Sequence, residues 1–531
     1  MVYPRNSKIF VSHNHCLKRT YFDIAYLNGF KILYNVENNK KIIISYLYRS
    51  ILSIIPIFIR NNLKKHTIEQ TTIFLSIVKW LFLSSVIGIV IGFTVTLFLK
   101  VLQYSEKSQS LLPFPHYYLL PFALLLTVWI VKKFAPDAEG HGTEKVIEAV
   151  HTKSGHIDIA VIPIKLLATI LTIFSGGSAG KEGPGAQIGA GMASTLSDLF
   201  HFTKEDRKKL VICGIGAGFA TVFGTPIAGA IFGLEVLVVG LIRYDVLLPS
   251  FIAGFAAFTT AQFMGIEYTY FDIHFHQPVE LDMYLILQVV LAGLFFGLVS
   301  DITITILKRM SRLISKIPLN LYLKAFGGGL VLVLLSFIVG DLYFGLGLST
   351  IDNMLLNNPA YSQDIPWYSF ILKMIFTSIT LGVGGSGGIV TPIFYIGATS
   401  GHWFGTLMGG HLAFFAALGF ISVLAGTTNA PIAATIMAME LFGLDVAHYA
   451  AISVVISFLM TGHRSVFPSQ ILAMKKSDLL KIEMGDTIGH TTINVADQEM
   501  DKFNALRERI QSKRRKRNQN AKLKGKTNED E

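Results

Sequence analysis

Glycine- and proline-rich segments occur twice in this chain. The segment 176–190 resembles 384–398, and Pro392 lies 208 residues after Pro184 (392 − 184). In both copies the glycines come first, the proline follows, and an apolar stretch continues from it. This repeat indicates that the chain contains two copies of one structural unit.

A second repeated pair extends the duplication. The segment 225–235 matches 430–440 at an offset of 205 residues (430 − 225). Two blocks that recur in the same order at nearly one offset predict a duplicated domain. Its halves are expected to cover 71–270 and 280–470. The sequence alone does not tell whether the halves are inverted, although inverted repeats with broken helices are a recurring transporter design.

The composition places this duplicated domain in a membrane. Hydrophobic residues make up 51% of the chain and charged residues 15%, which is too apolar for a soluble enzyme of this length. A helix needs about 20 residues to cross a bilayer core. Long apolar stretches lie at 72–99, 114–131, 211–241, 282–307, 323–340 and 367–383. An all-α integral membrane protein is therefore predicted.

Two shorter apolar pieces, at 389–399 and 412–425, contain glycine or proline. They are typical of half-spans or re-entrant helices. Irregular backbone at membrane depth is tolerated only where it is buried in protein or lines a cavity. This feature favours a channel or transporter over a receptor with simple spans.

The two ends of the chain differ from the apolar domain at 71–475. Residues 1–70 lack the pattern of a signal peptide and are interpreted as a cytoplasmic arm, a membrane-surface segment or a plain tail. The tail at 476–531 carries the basic cluster 513–517, for which attraction to anionic lipid is a better explanation than binding to nucleic acid. Both termini are therefore expected in the cytoplasm, and the protein in the cell's inner membrane as a multi-pass protein.

The repeated segments predict helix starts. Proline is favoured in the first turn of a helix, so Pro184, Pro226, Pro392 and Pro431 are each expected to mark one. First-turn amides lack an intrahelical acceptor, and the helix dipole adds about half a positive charge there. Several such ends that converge in the membrane predict a binding site for a small anion.

Glu182 is an acidic residue within the first repeated segment, two positions before Pro184. A carboxylate close to hydrocarbon is costly, which makes it a candidate functional group. We expect it to occupy the place of the anion at the helix amides and to leave when it is protonated or displaced. The alternative is an ordinary capping carboxylate at a helix start.

The motif Gly-Lys-Glu-Gly-Pro at 180–184 resembles the gating-glutamate signature of the CLC chloride channels and transporters. The segment 388–392 is similar to the family's second anion-binding loop, and 135–143 to its first. The resemblance covers about 75–475. It implies a homodimer in which each subunit has its own pore, built from two inverted halves with many tilted and re-entrant helices. It also implies that Glu182 is the external gate.

The same resemblance implies a set of anion-binding residues. They are His141, Gly142, Gly180, Lys181, Gly183, Ile389, Val390 and Phe467. Some positions depart from the family pattern. In the first loop His141 and Glu144 replace the usual serine and proline. Val390 replaces a phenylalanine that is common in the second loop, and Phe467 replaces the pore tyrosine. The His141 side chain either donates to the anion and makes the inner site pH-sensitive, or leaves only its backbone amide to do so. Selectivity between chloride, nitrate, bromide and fluoride stays open.

Proton-coupled members of the family carry a second glutamate that delivers protons from inside. In this chain that position is Val236, and a valine side chain cannot relay a proton. A channel of the voltage-gated chloride channel type is therefore predicted. The alternative is a proton-coupled chloride or fluoride antiporter in which Glu235, His141 or a water chain replaces the missing glutamate.

Other function classes fit the residues poorly. The stretch 178–181 lacks the hydroxyl residue and the glycine spacing of a phosphate loop, and the acids and histidines of 141–151 lack a zinc-site spacing. Two cysteines are too few for a disulfide framework or a metal cluster. The repeat-related acids Glu235 and Glu440 are expected to cap helix ends rather than to carry cations. The protein is not expected to be an enzyme or to use a cofactor.

Overall fold

The computed structural model describes residues 65–271, 283–356, 365–491 and 494–495. Most of the described residues lie in α-helices. The predicted N-terminal arm, apart from its last residues, and the basic cluster 513–517 lie outside them. The chain divides into two units, Met1–Leu75 and Ser76–Glu531, and every helix after the first belongs wholly to the second unit.

The first half of the repeat contains eight α-helices within the described ranges. They are α1 (Lys65–Ser108), α2 (Leu120–Phe134), α3 (Thr143–Thr152), α4 (Val161–Phe174), α5 (Glu182–Leu199), α6 (Lys204–Phe223), α7 (Pro226–Glu235) and α8 (Leu247–Phe263). Short 3₁₀ helices lie at Gln109–Leu111, His116–Leu119, Pro136–Ala138 and Tyr244–Val246.

The second half contains the same series of helices. They are α9 (Met283–Lys316), α10 (Leu321–Val339), α11 (Leu348–Leu355), α12 (Ser369–Gly382), α13 (Val390–Met408), α14 (Leu412–Thr428), α15 (Pro431–Phe442) and α16 (Leu444–Met460). Each helix corresponds in order to the one eight places earlier. An offset of 208 residues maps both ends of α4 onto the ends of α12 (369 − 161 and 382 − 174). The predicted duplication is thus present helix by helix.

The two halves are related by a local two-fold axis. Gly180 and its repeat equivalent Gly388 form an antiparallel bridge, in which each amide donates to the other carbonyl at 2.7 and 2.5 Å. Antiparallel pairing of equivalent residues is the arrangement that a two-fold axis produces. Since α5 and α13 begin just after this bridge, they leave it in opposite directions. The halves are therefore inverted, as the family resemblance implies.

Hydroxyl groups repeat the same symmetry around the bridge. The Ser178 hydroxyl lies 2.9 Å from that of Thr377, and the symmetric pair, Thr169 and Ser386, is separated by 3.3 Å. All four side chains are buried. A buried hydroxyl is stable only with a hydrogen-bond partner, so each half supplies the partners that the other half needs.

Close helix packing depends on small residues. A Cβ atom on Gly189 of α5 would lie 2.5 Å from the carbonyl oxygen of Gly214 in α6. In the second half, a Cβ on Gly397 of α13 would overlap the carbonyl oxygen of Gly419 in α14. Small residues let helix backbones approach closely inside a membrane. The glycine content of the chain therefore serves packing as well as the loops.

Within the described ranges, five helical segments are long and apolar enough to cross a membrane. They are Ile68–Leu111, His116–Phe134, Tyr244–Phe263, Met283–Lys316 and Leu321–Val339. The apolar stretch 211–241 does not form the one membrane span that the sequence predicts. It contains the end of α6 and all of α7, separated where Gly224 adopts the left-handed conformation and Pro226 starts a new helix, two local signals that stop one helix and begin the next.

Short strands lie after α7 and after α16. β1 (Val238–Val239) pairs in parallel with β2 (Ile471–Leu472), and β3 (Leu480–Lys481) pairs antiparallel with β4 (Asn494–Val495). The amides of Gly485 and Ile488 donate to the carbonyls of Leu472 and Gln470, both at 2.8 Å.

Candidate functional site

Three loops meet at the two-fold axis. Gly183, in the first turn of α5, packs so closely on the first loop that a Cβ would overlap the carbonyl oxygen of His141. Gly142 adopts a φ of 82° and a Cβ there would lie 2.5 Å from the Gly183 carbonyl oxygen. A Cβ on Gly388 would lie 2.7 Å from the Gly183 amide nitrogen. Only glycine permits these approaches, and they bring the amino-ends of α3, α5 and α13 together.

Four amides at this meeting point remain available. They belong to Gly142, Gly183, Ile389 and Val390, and none of them donates to another backbone or side-chain group in the part of the chain that the structure describes. Gly142 and Ile389 are the residues just before α3 and α13, while Gly183 and Val390 lie in the first turns of α5 and α13. Such amides have no intrahelical acceptor and carry the positive end of the helix dipole. The arrangement suits a small anion.

The carboxyl group of Glu182 bridges the two halves. Glu182 is the first residue of α5 and is 1% exposed. Its Oε2 atom accepts a hydrogen bond of 3.0 Å from the backbone amide of Thr391, and its Oε1 atom accepts one from the Thr391 hydroxyl. Thr391 is the second residue of α13. The carboxyl group therefore occupies an amide in the first turn of α13, a kind of donor that also suits an anion.

One residue of the predicted set differs from its expected role. The Gly180 amide is engaged by the Gly388 carbonyl, so the expectation that it holds the anion is corrected: it pairs the two loops. Lys181 precedes α5 and is partly exposed, and its charge lies within electrostatic reach of the carboxyl groups of Glu182, Glu106 and Asp352. Its contact with an anion stays a prediction.

The side chains of His141 and Phe467 lie beside each other. Their ring centroids are 5.6 Å apart, and Phe467 is fully buried. The His141 Nδ1 atom is buried without a hydrogen-bond partner among the described residues. This unpartnered nitrogen favours a side-chain contribution to the inner end of the site, since buried polar atoms usually have a partner.

Glu144 holds the Phe467 segment against the first loop. Its Oε1 atom accepts hydrogen bonds from the amide and the hydroxyl of Ser469, at 2.9 and 2.5 Å. Its Oε2 atom is buried and has no partner among the described residues. In the sequence, Glu144 stands out as a departure from the family's proline and fails as a metal ligand, with no sign of this contact. The pairing joins residues 325 positions apart, and no local signal predicts it.

Two buried lysines support the loops from within the protein. The Lys165 ammonium donates to the carbonyls of Ala138 and Gly140, at 3.1 and 2.5 Å. The repeat-equivalent Lys373 donates to Tyr343 and Gly345, at 3.1 and 2.8 Å. A buried cation needs such partners. Lys165 therefore fixes the first loop just before His141 and adds positive charge near the site.

The other pair of predicted helix starts is closed by carboxylates. Glu235, at the end of α7, accepts from the amides of Ile432 and Ala433 in α15, at 3.0 and 2.8 Å. Glu440, near the end of α15, accepts from Ile227 and Ala228 in α7 at the same two distances. The expected helix-end role of both acids is confirmed.

The reciprocal caps limit the number of helix ends that face an anion. All four predicted prolines lie in first turns: Pro226 and Pro431 open α7 and α15, and Pro184 and Pro392 are third in α5 and α13. The starts of α7 and α15 do not contribute to the several converging helix ends that the sequence predicts, because Glu440 and Glu235 already hold their amides. Of the four helix starts marked by prolines, those of α5 and α13 remain available.

Val236 directly follows α7 with its side chain fully buried, and its carbonyl accepts from the Gln470 amide group at 2.8 Å. The predicted position of the inner glutamate therefore carries a buried apolar side chain. For metals, the described residues contain no group of three His, Cys, Asp or Glu side chains placed to hold an ion.

Comparison with known proteins shows what this chain is similar to. A family model described as "Voltage gated chloride channel" matches residues 122–462. A "Chloride/fluoride channel protein" of Pseudomonas syringae pv. tomato is 35% identical over 420 residues, which cover 77% of this chain and 90% of the relative. The "Voltage-gated ClC-type chloride channel ClcB" of Salmonella typhimurium is 27% identical over 311 residues, or 57% of this chain and 73% of the relative.

Solved structures give the same fold. The crystal structure of a CLC-type fluoride/proton antiporter superposes with a TM-score of 0.70 at 31% identity, covering 75% of this chain and 99% of that one. A slow cyanobacterial Cl⁻/H⁺ antiporter gives a TM-score of 0.61 at 22% identity, covering 72% and 94%. The second likeness concerns the fold alone.

Proposed function

Since the chain belongs to the CLC family of voltage-gated chloride channels, we propose that it carries chloride or a similar small anion across a membrane along a path gated by Glu182. The observation that carries this proposal is the convergence of four unpartnered amides, from Gly142, Gly183, Ile389 and Val390, beside the Glu182 carboxyl group. Backbone amides at helix starts favour negative charge without a buried basic side chain.

Competition between the carboxylate and the anion explains gating. When Glu182 is ionised, Thr391 holds its carboxyl group at the start of α13. Protonation removes the negative charge and weakens these hydrogen bonds, because bonds to charged groups are stronger than those to neutral ones. The side chain then leaves, and the helix end accepts an anion instead. External acidification is therefore expected to increase flux.

Passive conduction is the proposed mode. A proton released by Glu182 needs a titratable group on the inner side to continue through the protein. The family's usual position holds Val236, and Glu235 next to it is engaged by the first amides of α15. Neither residue offers a free carboxyl group toward the path, which supports a channel over an exchanger.

Proton-coupled transport of chloride or fluoride is a second candidate. Glu144 supplies the specific observation, because it has one unpartnered carboxyl oxygen and bonds to Ser469, two residues beyond Phe467. A relative is named a chloride/fluoride channel protein and a structural neighbour a fluoride/proton antiporter. In this mode Glu144 and His141 would pass the proton inward in place of a glutamate at Val236.

Flux measurements in proteoliposomes separate the two modes. An outward chloride gradient that drives protons uphill would establish exchange and refute the channel. Chloride flux with no proton movement would support the channel. The same measurement with fluoride, bromide and nitrate in place of chloride orders the anions.

The gate is tested by Glu182→Gln, which retains the shape but not the charge. We expect higher flux at neutral external pH and no further increase on acidification. Glu205→Gln is the matched control, because Glu205 is an exposed partner of Lys208 at the start of α6, outside the three loops. If the Glu182 variant kept the pH response of the unmodified protein, the gate assignment would be wrong.

We further propose a homodimer with one path per subunit, cytoplasmic termini and residence in the inner membrane. The transport domain would cover 71–475, with the N-terminal arm before it and the basic tail after it. Native mass spectrometry of the purified protein tests the dimer. Reporter fusions test on which side of the membrane the C-terminus lies. A reporter signal from outside the cytoplasm would contradict the proposed orientation.

A further inference from the structure

A basic cavity of about 590 Å³ lies between the last part of α9 and the segment that follows α16. Its volume falls within the range of about 300–1,000 Å³ that is usual for ligand pockets. The polar residues that matter for its chemistry are Asp301, Lys308, Arg309, Arg312, His463 and Arg464. It is separate from the loops at the two-fold axis.

Positive charge dominates the cavity lining. Four cationic residues face one acidic residue, Asp301, which pairs with Arg464 at 2.5 Å. Lys308, Arg309 and Arg312 come from one turn of α9, so their charges are held close together. Arginine recognises phosphate through several donors of a planar group, and lysine adds a compact charge. The lining therefore suits a phosphate group better than a monatomic anion.

His463 provides an independent indication of a ligand. Its side chain is 3% exposed and lines the cavity, and its Nε2 atom accepts a hydrogen bond of 2.7 Å from the Lys476 amide. An imidazole nitrogen that accepts carries no proton, so the ring proton resides on Nδ1. The Nδ1 atom is buried and has no partner among the residues that the structure describes. A buried donor of this kind requires an acceptor, and a ligand oxygen would supply it once the imidazole ring turns toward the cavity that it lines.

The surroundings include apolar side chains. Ile302 lines the cavity and is 46% exposed, while Leu313 and Ile317 near the end of α9 are 60% and 44% exposed. Exposed apolar residues on a membrane helix face lipid chains, and basic residues near helix ends mark the cytoplasmic side. Anionic lipid headgroups are found there. The cavity is therefore placed where a headgroup phosphate can reach it.

We propose that this cavity binds the phosphate group of an anionic ligand, supplied by a lipid headgroup or by a soluble phosphate anion. The phosphate oxygens accept from Lys308, Arg309 and Arg312 and from the Nδ1–H group of His463. Lys308 also lies within electrostatic reach of Glu144, so the bound phosphate would weaken the positive field of Lys308 at that carboxyl group. The binding itself does not depend on transport.

Thermal unfolding of the purified full-length protein tests the proposal. One arm adds inorganic phosphate at constant ionic strength, with chloride as the balancing anion. The other arm compares mixed micelles that contain phosphatidylglycerol with micelles that contain only phosphatidylcholine. A ligand that binds the folded state raises the unfolding temperature in a saturable way. We expect saturation in at least one arm, and the arm that responds identifies the source of the phosphate.

Variants connect the response to the cavity. The triple variant Lys308→Gln, Arg309→Gln, Arg312→Gln should bind the effective probe at least tenfold more weakly. The matched control, Lys100→Gln, Lys107→Gln, Lys204→Gln, removes three cations elsewhere and should bind normally. His463→Gln retains an acceptor for the Lys476 amide but lacks the Nδ1 donor, and should also bind more weakly.

Three outcomes would overturn the proposal. One is the absence of a saturable response in both arms. Another is an equal response in the cavity variant and its control, which would indicate a general salt or charge effect. The third is a response to chloride alone that matches the response to phosphate, which would make the cavity an entry region for the transported ion.

Discussion

The carboxyl group of Glu182 in one half of the repeat is held by the amide and the hydroxyl of Thr391 in the other half. The repeat equivalent of Glu182 is Val390 (390 − 182 is the offset of 208). The bond therefore has no counterpart on the other side of the two-fold axis. Of an otherwise symmetric pair of helix starts, only one carries a carboxyl group, and the proposed gate depends on this asymmetry.

The first prediction concerns the strength of this bond. Thr391→Val retains the side-chain shape and the backbone amide but removes the hydroxyl donor. A hydrogen bond to a charged group contributes about 1.5–3 kcal/mol, and about 1.4 kcal/mol changes an equilibrium tenfold. We therefore expect chloride flux at neutral pH to rise about tenfold in proteoliposomes, with a smaller increase on acidification.

Thr399→Val is the control for that variant. Thr399 also lies in α13 and is buried, but its hydroxyl donates to the Tyr395 carbonyl at 2.7 Å, within the helix. Its replacement should leave flux and pH response unchanged. Equal flux in the Thr391 variant and the unmodified protein would show that the hydroxyl does not hold the gate closed.

Much of this architecture could be predicted from the repeat. The spacing of the glycine–proline segments identifies the two halves, and the helices follow it closely enough that α4 maps onto α12 without a shift. Prolines mark the first turns because their ring suits the helix start and lacks an amide proton. Local chemistry of this kind acts over a few residues, so it is visible in the sequence.

The pairing between loops was not predictable. Thr391 lies 209 positions from Glu182, and the choice of partner depends on how the two halves pack. The engaged amide of Gly180 and the caps provided by Glu235 and Glu440 could not be predicted for the same reason. Each is a tertiary contact between repeat-related elements, and the sequence shows the equivalence of those elements but not their contact.

The second prediction uses the reciprocal caps as matched variants. Glu235→Gln and Glu440→Gln each remove the charge from a carboxylate that accepts two helix amides. Loss of a cap and of the favourable dipole interaction costs about 1–2 kcal/mol. Both variants should unfold a few degrees lower than the unmodified protein.

Transport by the same two variants tests whether Glu235 moves protons. If both acids only cap helices, chloride flux per folded protein should be unchanged in each. A loss of proton movement in Glu235→Gln alone would contradict the structural role and support the antiporter candidate, because the equivalent Glu440 caps a helix in the same way.

The third prediction separates the two buried lysines. Lys165→Met and Lys373→Met each remove two charge-assisted hydrogen bonds to loop carbonyls, worth about 1.5–3 kcal/mol each. Both proteins should lose several degrees of thermal stability. Because Lys165 holds the loop just before His141, its loss should also weaken anion binding by about 1–2 kcal/mol.

Calorimetric titration with chloride measures that difference. The Lys165 variant should bind roughly tenfold more weakly, and the Lys373 variant should bind normally once its stability is taken into account. Equal chloride affinity in the two variants would show that Lys165 supports the fold without contributing charge to the site.

The fourth prediction concerns the meeting point of the three loops. In Gly183→Ala the new Cβ would overlap the His141 carbonyl oxygen, and the backbone of Gly388 lies on the other side of it. Neither neighbour can move without separating the loops, so the variant is expected to lose about 3 kcal/mol or more of its free energy of unfolding.

Gly327→Ala is the control, because it adds the same methyl group to α10 where no atom lies within 4 Å. Its stability should be unchanged or slightly higher, since alanine is favoured over glycine within a helix. Thermal unfolding and chloride binding of both variants check the argument: normal chloride binding by Gly183→Ala would mean that the anion does not bind where α3, α5 and α13 converge.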